Sequence, residues 1–444
     1  MFSLQDIQPG STLGRYEVLM PIAEGGMAAV WAARMKGSRG FQKVVAIKTM
    51  LPDLSDDMDF EAMFYDEARL VARIRHPHVC EMVDLGDEDG MLYIVMEWVD
   101  GDTLFTLNRR AKHKGGIPLP LLLRIASDAS AGLHAAHELR DEHGKVLGLV
   151  HRDVSPQNIM ISFDGIVKIV DFGVAKAAGR LHETRVAGVM KGKVPYLSPE
   201  QLTSGKVDRR SDIFSLGIVL YAMVSGRHPF RAQEDSKTIE NICSRAPVPL
   251  RELVPDTRPE LEAIILKALE KDPEDRWQTC AEMQRALDQL LGSMGVTVTD
   301  GDVAAFLRDT LGDIIEERRA SLKEAIRKAD GRAPSESGAA RVRARPKGGA
   351  PLPATFDGIL PVALDDGPSP TSAPISSPVS TPLPNTPPSS KRAADPASSR
   401  PSPVVVKSSA PQKSGTWLYV FAAVMIVIAA VLVAAATGKL PLPH

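Results

Sequence analysis

The chain is poor in sulfur and in aromatic rings: 444 residues hold three cysteines, Cys80, Cys243 and Cys280, and 5% Phe, Trp and Tyr. Isolated cysteines with no close-spaced pattern argue against a disulfide framework or a thiolate metal site; buried small side chains in a reducing compartment remain the reading. Charge of one sign is also missing. Lys plus Arg number 53 and Asp plus Glu 55, for a net charge of −2. Without a basic field, no nucleic-acid partner is expected. The N-terminal stretch shows no basic region followed by an apolar run, so no secretory signal is expected. The length suits one large domain, or two moderate ones, with linkers.

Composition divides the chain into zones. Residues 15–291 alternate apolar runs with turn chemistry, the pattern of a folded α+β domain. Residues 292–330 are expected to form a helical extension. There Val303, Phe306, Leu307, Leu311, Ile314, Ile315, Leu322 and Ile326 recur at helical spacing beside a dense charged face around Glu316-Glu317-Arg318-Arg319. Such a helix either caps the folded domain or presents a face for dimerisation or a partner. Residues 331–415 hold half of the 34 prolines and a single aromatic, Phe356. That composition cannot bury enough apolar surface to offset its ordering entropy, which predicts a disordered tether. Its basic clusters, Arg341-Val342-Arg343-Ala344-Arg345 and Lys391-Arg392, read as solvated charges, with lipid headgroups as the alternative contact. Residues 416–438 include an uncharged run from Trp417 to Thr437. A helix of that length spans about 30 Å, the thickness of a bilayer core. Trp417 and Tyr419 mark one interface, and a single membrane-spanning helix is expected.

The richest chemistry lies in Val150-His151-Arg152-Asp153-Val154-Ser155-Pro156-Gln157-Asn158, followed by Asp171-Phe172-Gly173. One carboxylate to orient a hydroxyl and two oxygen ligands for Mg²⁺ are what ATP-dependent phosphoryl transfer requires. Upstream, Ile22-Ala23-Glu24-Gly25-Gly26-Met27-Ala28-Ala29-Val30 precedes Val45-Ala46-Ile47-Lys48; downstream come Ser198-Pro199-Glu200, Ser211-Asp212-Ile213 and Lys271-Asp272-Pro273-Glu274-Asp275-Arg276. In this order and spacing the motifs resemble the protein kinase family, most closely the bacterial, membrane-anchored, eukaryotic-like serine/threonine kinases.

The resemblance covers about residues 15–291. It implies a bilobal fold with a small β-rich N-lobe and a larger helical C-lobe, using ATP and Mg²⁺ on protein substrates. By it, Asp153 is the base or orienter, and Asn158 and Asp171 are the Mg²⁺ ligands. Lys48 clamps the phosphates and pairs with Glu67, while residues 22–30 cover them. Val30, Ala46 and Met160 sandwich adenine, and the backbone of Glu97 and Val99 reads its edge, with Met96 as gatekeeper. His151 and Phe172 pack with Val71 and Met82 in an apolar column joining the lobes. Asp212 anchors the catalytic loop, and Glu200 pairs with Arg276. Arg152 implies a phosphorylated loop residue as its partner, and Thr184 is the only threonine between Gly173 and Ser198. Pro156 argues for serine/threonine rather than tyrosine specificity. A membrane-tethered enzyme with its kinase domain on the cytoplasmic side of the inner membrane is implied, and homodimerisation for trans-autophosphorylation stays open.

Two departures qualify this expectation. The family's three-glycine pattern is met only by Gly25, since Ala23 and Ala28 take the other places. The lysine usual two residues after the catalytic aspartate is Ser155, and Lys193 stands where threonine is usual. An exchange of the two groups would keep a positive charge near the γ-phosphate, with Lys193 as the charge stabiliser. The alternative is a pseudokinase or an anchored scaffold.

Overall fold

The computed structural model describes residues 7–24, 28–50, 58–88, 90–172, 194–203 and 205–331, without the side chains of 58–63. Gly25, Gly26, Met27, Thr184, Lys193, the linker beyond Gly331 and the apolar run at 416–438 therefore lie outside the described residues. Among the described residues, no helix is long and apolar enough to cross a membrane.

The first lobe is an antiparallel sheet of β1 (Thr12–Leu13), β2 (Tyr16–Glu24), β3 (Ala28–Lys36), β4 (Gln42–Met50), β5 (Met82–Glu88) and β6 (Met91–Glu97), in spatial order β1-β2-β3-β4-β6-β5. Side chains alternate across a strand, so each strand serves two surfaces. Tyr16, Val18, Trp31, Val45, Ile47 and Val95 pack into a small core on one face. On the other, Val30 lies opposite Lys48 and Ala46 opposite Met96, which makes that face the roof of a cleft. The register slips between Pro21 and Ala23, where proline removes a ladder donor. Helix α1 (Met58–Val71) buries Phe64, Ala68 and Val71, the i, i+4, i+7 face of an amphipathic helix.

A small sheet of β7 (Gly101–Thr103), β8 (Ile159–Ser162) and β9 (Val167–Ile169) marks the junction between the lobes. The second lobe is helical: α2 (Leu104–Ala111), α3 (Leu119–His137), α4 (Pro199–Leu202), α5 (Arg209–Ser225), α6 (Asp235–Ser244), α7 (Leu250–Leu253), α8 (Pro259–Ala268) and α9 (Cys280–Ser293). Helix α5 is buried on every side from Ser211 to Ala222, as a helix at the centre of a lobe must be. Asp208 caps its start by accepting from the Arg210 N–H, and Gly226 ends it in the left-handed conformation (φ 71°).

Helix α10 (Asp300–Asp330) closes the described chain. Thr299 and Asp302 cap it reciprocally, and its backbone departs from helical angles at Leu311 (φ −122°, ψ 16°), just before Gly312. Val303, Leu307, Leu311 and Ile315 join the main core of the second lobe.

Candidate active site

The loop between α3 and β8 is held from below by one carboxylate. The backbone N–H groups of His151 and Arg152 each donate to Asp212 at 2.8 Å, and His137 Nε2 meets the same side chain at 2.7 Å. This grip sustains a left-handed backbone at Arg152 (φ 64°), a conformation costly for a non-glycine residue. Burial by itself would raise the Asp212 carboxyl. The hydrogen bond and charge of His137, with His151 and its N–H, outweigh that and hold it below the usual carboxylate range.

His151 is fully buried, and burial lowers its pKa, so the ring is neutral. Its Nε2–H donates to the Val170 carbonyl at 2.9 Å while Nδ1 accepts from the Asp153 N–H at 3.2 Å, which fixes the tautomer. Asn158 Nδ2 donates to the Asp153 carbonyl at 2.8 Å and to its Oδ2 at 3.1 Å. The side-chain oxygen of Asn158, Oδ1, takes no hydrogen bond among the described residues, while the backbone carbonyl accepts from the Val170 N–H at 3.0 Å. Gln201 Nε2 donates to the Arg152 carbonyl at 3.0 Å, tying the loop to α4.

Beneath α4, Arg276 and Glu200 form a two-pronged buried pair at 2.8 and 2.9 Å. Arg276 also donates to the carbonyls of Glu270, Arg210 and Lys271. Burial pushes the Glu200 carboxyl up, and the Arg276 hydrogen bond and charge more than reverse it.

The roof is arranged differently from the expectation. Lys48 Nζ meets Asp171 Oδ1 at 2.8 Å, and Glu67 Oε1 lies 4.0 Å from Arg152 Nη1. The implied Lys48–Glu67 pair is not among the ion pairs of the described residues. The left-handed backbone of Asp171 (φ 60°) belongs to the loop facing β4, where its carboxylate meets the ammonium of Lys48, and Glu67 stands over the catalytic loop instead. Phe172 packs against His151 with ring centroids 4.6 Å apart. Behind Met96, a small pocket is lined by Lys48, Met50, Val71, Cys80, Met82, Ile94, Asp171 and Phe172.

Of the residues expected to meet a nucleotide, Val30, Ala46 and Lys48 share the cleft face of the sheet, and Met160 sits half-buried in β8 on the floor. Ala23 lies opposite Val30 and Glu24 opposite Ala29. The Ala29 side chain points into the sheet's own core, since successive residues alternate faces. Ile22 and Trp98 both pack against the small cluster of Leu19, Ala32 and Ala329. The Val99 N–H and C=O make no hydrogen bond among the described residues and face no strand partner. The Glu97 carbonyl is approached by the Cys80 thiol at 3.9 Å. These are backbone groups able to read the edge of an adenine.

The donor set fits Mg²⁺. Two oxygen donors, the Asp171 carboxylate and the Asn158 amide carbonyl, suit an ion that keeps waters and shares phosphate oxygens. Consistent with so sparse a set, no cluster of three or more His, Cys, Asp or Glu that could cage a metal occurs among the described residues.

Several contributing residues carry no motif label. His137 was hidden in an apolar helix, Gln201 follows the Ser-Pro-Glu motif unremarked, and Lys168 pairs with Glu97 at 2.6 Å. Arg318 belongs to the dense charged face expected at 316–319, yet its side chain is 11% exposed and pairs with Asp102 at 2.8 Å. Only its place beside apolar i−3 and i+4 neighbours, Ile315 and Leu322, hinted at burial.

Comparison with known proteins agrees with this geometry. Tyrosine-protein kinase MasK of Myxococcus xanthus is 42% identical over 301 residues, covering 68% of this chain and 46% of that protein. Serine/threonine-protein kinase PknB of Mycolicibacterium smegmatis is 39% identical over 280 residues, covering 62% and 42%. The chain thus spans less than half the length of these relatives. The crystal structure of the Mycobacterium tuberculosis PknI kinase domain superposes with a TM-score of 0.51 at 26% identity, covering 64% of this chain and 99% of that one. The protein kinase domain model matches residues 16–288, which takes in both lobes and every cleft residue described above, and the chain belongs to the protein kinase family.

Proposed function

We propose that this protein transfers the γ-phosphoryl group of ATP to serine or threonine hydroxyls of proteins. The observation that carries the reading is the hold of Asn158 on Asp153, 2.8 Å to its carbonyl and 3.1 Å to its carboxylate, within reach of the loop bearing Asp171. Asp153 orients the hydroxyl and accepts its proton, and Asn158 and Asp171 hold Mg²⁺. The ion, when bound, neutralises charge on the phosphates. Lys48, already drawn to Asp171, stands at the phosphate end, and Lys193 supplies the charge that Ser155 does not. A relative named as a tyrosine kinase keeps the other hydroxyl class in view, whereas Pro156 supports serine and threonine. Phosphoamino-acid analysis of labelled product should give phosphoserine or phosphothreonine, and phosphotyrosine alone would reassign the specificity.

Autophosphorylation at Thr184, in trans between two copies, is part of the same proposal. Arg152 Nε is buried without a hydrogen-bond partner among the described residues, a donor suited to a phosphate. Mass spectrometry of active protein should find Thr184 modified; an unmodified Thr184 together with a fully active Thr184→Ala would refute it.

We further propose that residues 416–438 anchor the enzyme in the inner membrane with the kinase domain cytoplasmic. Support comes from the uncharged run and from lysines and arginines at 391–413 that outnumber Lys439 beyond it. Protease applied outside spheroplasts should spare the kinase domain, and its digestion there would reverse the orientation.

A further inference from the structure

Helix α10 does more than cover the second lobe. Its first half is anchored there: Arg124 donates to the Val298 carbonyl at 2.9 Å and to Asp300 at 2.8 Å, and Lys114 meets Asp309 at 2.7 Å. Gly165 approaches so closely that a Cβ there would lie 1.9 Å from the Asp300 carbonyl oxygen, so the β8–β9 turn is shaped to receive the helix start. After the departure at Leu311, the helix crosses the segment joining the lobes. Arg318 donates to the Gly101 carbonyl and, at 2.8 Å, to Asp102, and Arg319 donates to Asp100 at 2.8 Å. The last turns then reach the first lobe. Leu322, Ala325, Ile326 and Ala329 pack with Leu19 and Ala32 of the sheet, together with Ile22 and Trp98. Asp330 pairs with Arg34, whose guanidinium is 1% exposed and also holds Glu17.

The position of this contact gives it a function. Ala32 lies opposite Ala46, and Ala46 opposite Met96, so all three share the sheet face that roofs the cleft. Residues directly opposite in an antiparallel pair project to the same side. The end of α10 therefore continues the row that leads to the adenine position. Ile22 and Trp98, one at the approach to the phosphate-covering turn and one in the joining segment, bridge the two. We infer that the distal half of α10 is a strap between the lobes, that Arg318 is its positioning residue, and that the strap sets nucleotide affinity by fixing the joining segment and the end of β2. The inference rests on the kinase reading for its nucleotide but not for its geometry.

The test uses the full chain and three variants, Arg318→Ala, Arg318→Lys and Ile326→Asp, titrated with Mg²⁺ and a non-hydrolysable ATP analogue. The strap predicts that Arg318→Ala and Ile326→Asp each weaken binding by about ten-fold, the scale of one lost buried charge contact or apolar seat. The KM for ATP should rise in step, while kcat changes by less than about three-fold, because a positioning contact outside the reacting atoms acts on binding. Arg318→Lys should recover part of the loss. Hydrogen exchange at residues 19–24 and 97–103 should accelerate in both disruptive variants, with no nucleotide present. Should either variant fail to fold, Asp330→Asn, at a half-exposed end, should still weaken binding by about two-fold. Unchanged analogue affinity and unchanged exchange in folded variants would overturn the strap. A parent chain that binds no nucleotide, but whose variants exchange faster at those segments, would overturn the kinase reading and leave the strap standing.

Discussion

The floor and the roof of the cleft are built on different physical terms. On the floor, Asp212 is 1% exposed and takes three donors, and the supporting Glu200–Arg276 pair is buried with 9% and 0% of its side chains exposed. On the roof, Lys48 and Asp171 are 21% and 31% exposed, and Glu67 and Arg152 approach only to 4.0 Å. Buried charges with every donor committed cannot be re-sorted without leaving one uncompensated, whereas the partly exposed Lys48–Asp171 pair can exchange partners at smaller cost. On the proposed function, that difference makes Asp153 a fixed base and Lys48 an adjustable phosphate clamp.

The comparison breaks most sharply at Asp171, where roof and floor meet. Asp171→Ala should lower phosphoryl transfer by about three orders of magnitude or more, and weaken Mg²⁺-ATP binding, because a metal ligand and the partner of Lys48 are lost together. Near-parental turnover in this variant would remove Asp171 from the chemistry.

The next largest effect concerns stability. Arg276→Ala should destabilise the protein by about 3–5 kcal/mol, the cost of leaving Glu200 buried without its cation, read from chemical denaturation. The same carboxylates give the floor a pH signature. Glu200 and Asp212 both titrate below their ordinary values in the folded state, so their stabilisation is complete above the unfolded carboxylate range of about pH 4 and is lost as pH falls through the lowered values. A pH–stability profile should steepen below about pH 4 for the parent and flatten there for Arg276→Ala. A flat parental profile would place the floor's stability elsewhere.

Much of this was legible in the sequence. Motif order and spacing indicated the bilobal fold, and the resemblance to the family indicated Val30, Ala46 and Met160 as residues that could line the cleft. Identity alone could not show how Lys48 distributes itself between two carboxylates, since both lie at family-consistent spacings and the choice depends on tertiary placement of α1. Nor could it separate a buried arginine from a solvated one at 318–319, because both occupy the same charged run on a helix whose path is set by the turn at Leu311.

Two further variants sharpen the roof. Lys193→Ala should reduce kcat by about a hundred-fold with ATP affinity nearly intact, since a charge acting on the transferring group matters mainly in the transition state. Ser155→Lys combined with Lys193→Thr should restore part of the loss, and a Lys193→Ala enzyme as active as the parent would dismiss the exchange. Glu67→Gln should be the mildest. Because Lys48 keeps its contact with Asp171, the effect on ATP affinity should stay within about three-fold. A loss equal to that of Lys48→Met would show that Glu67 and Lys48 act as one unit during turnover.

The central claim is that a rigid floor presents Asp153 to a protein hydroxyl. Its most direct test is transfer of label from γ-labelled ATP, with Mg²⁺, to a generic protein substrate by the full chain and by Asp153→Asn, each checked for folding and for ATP binding. The account predicts labelled substrate with the parent, and with Asp153→Asn a loss of about three orders of magnitude at unchanged ATP affinity. A parent that binds ATP yet transfers no label, or an Asp153→Asn variant that transfers as fast as the parent, would contradict it.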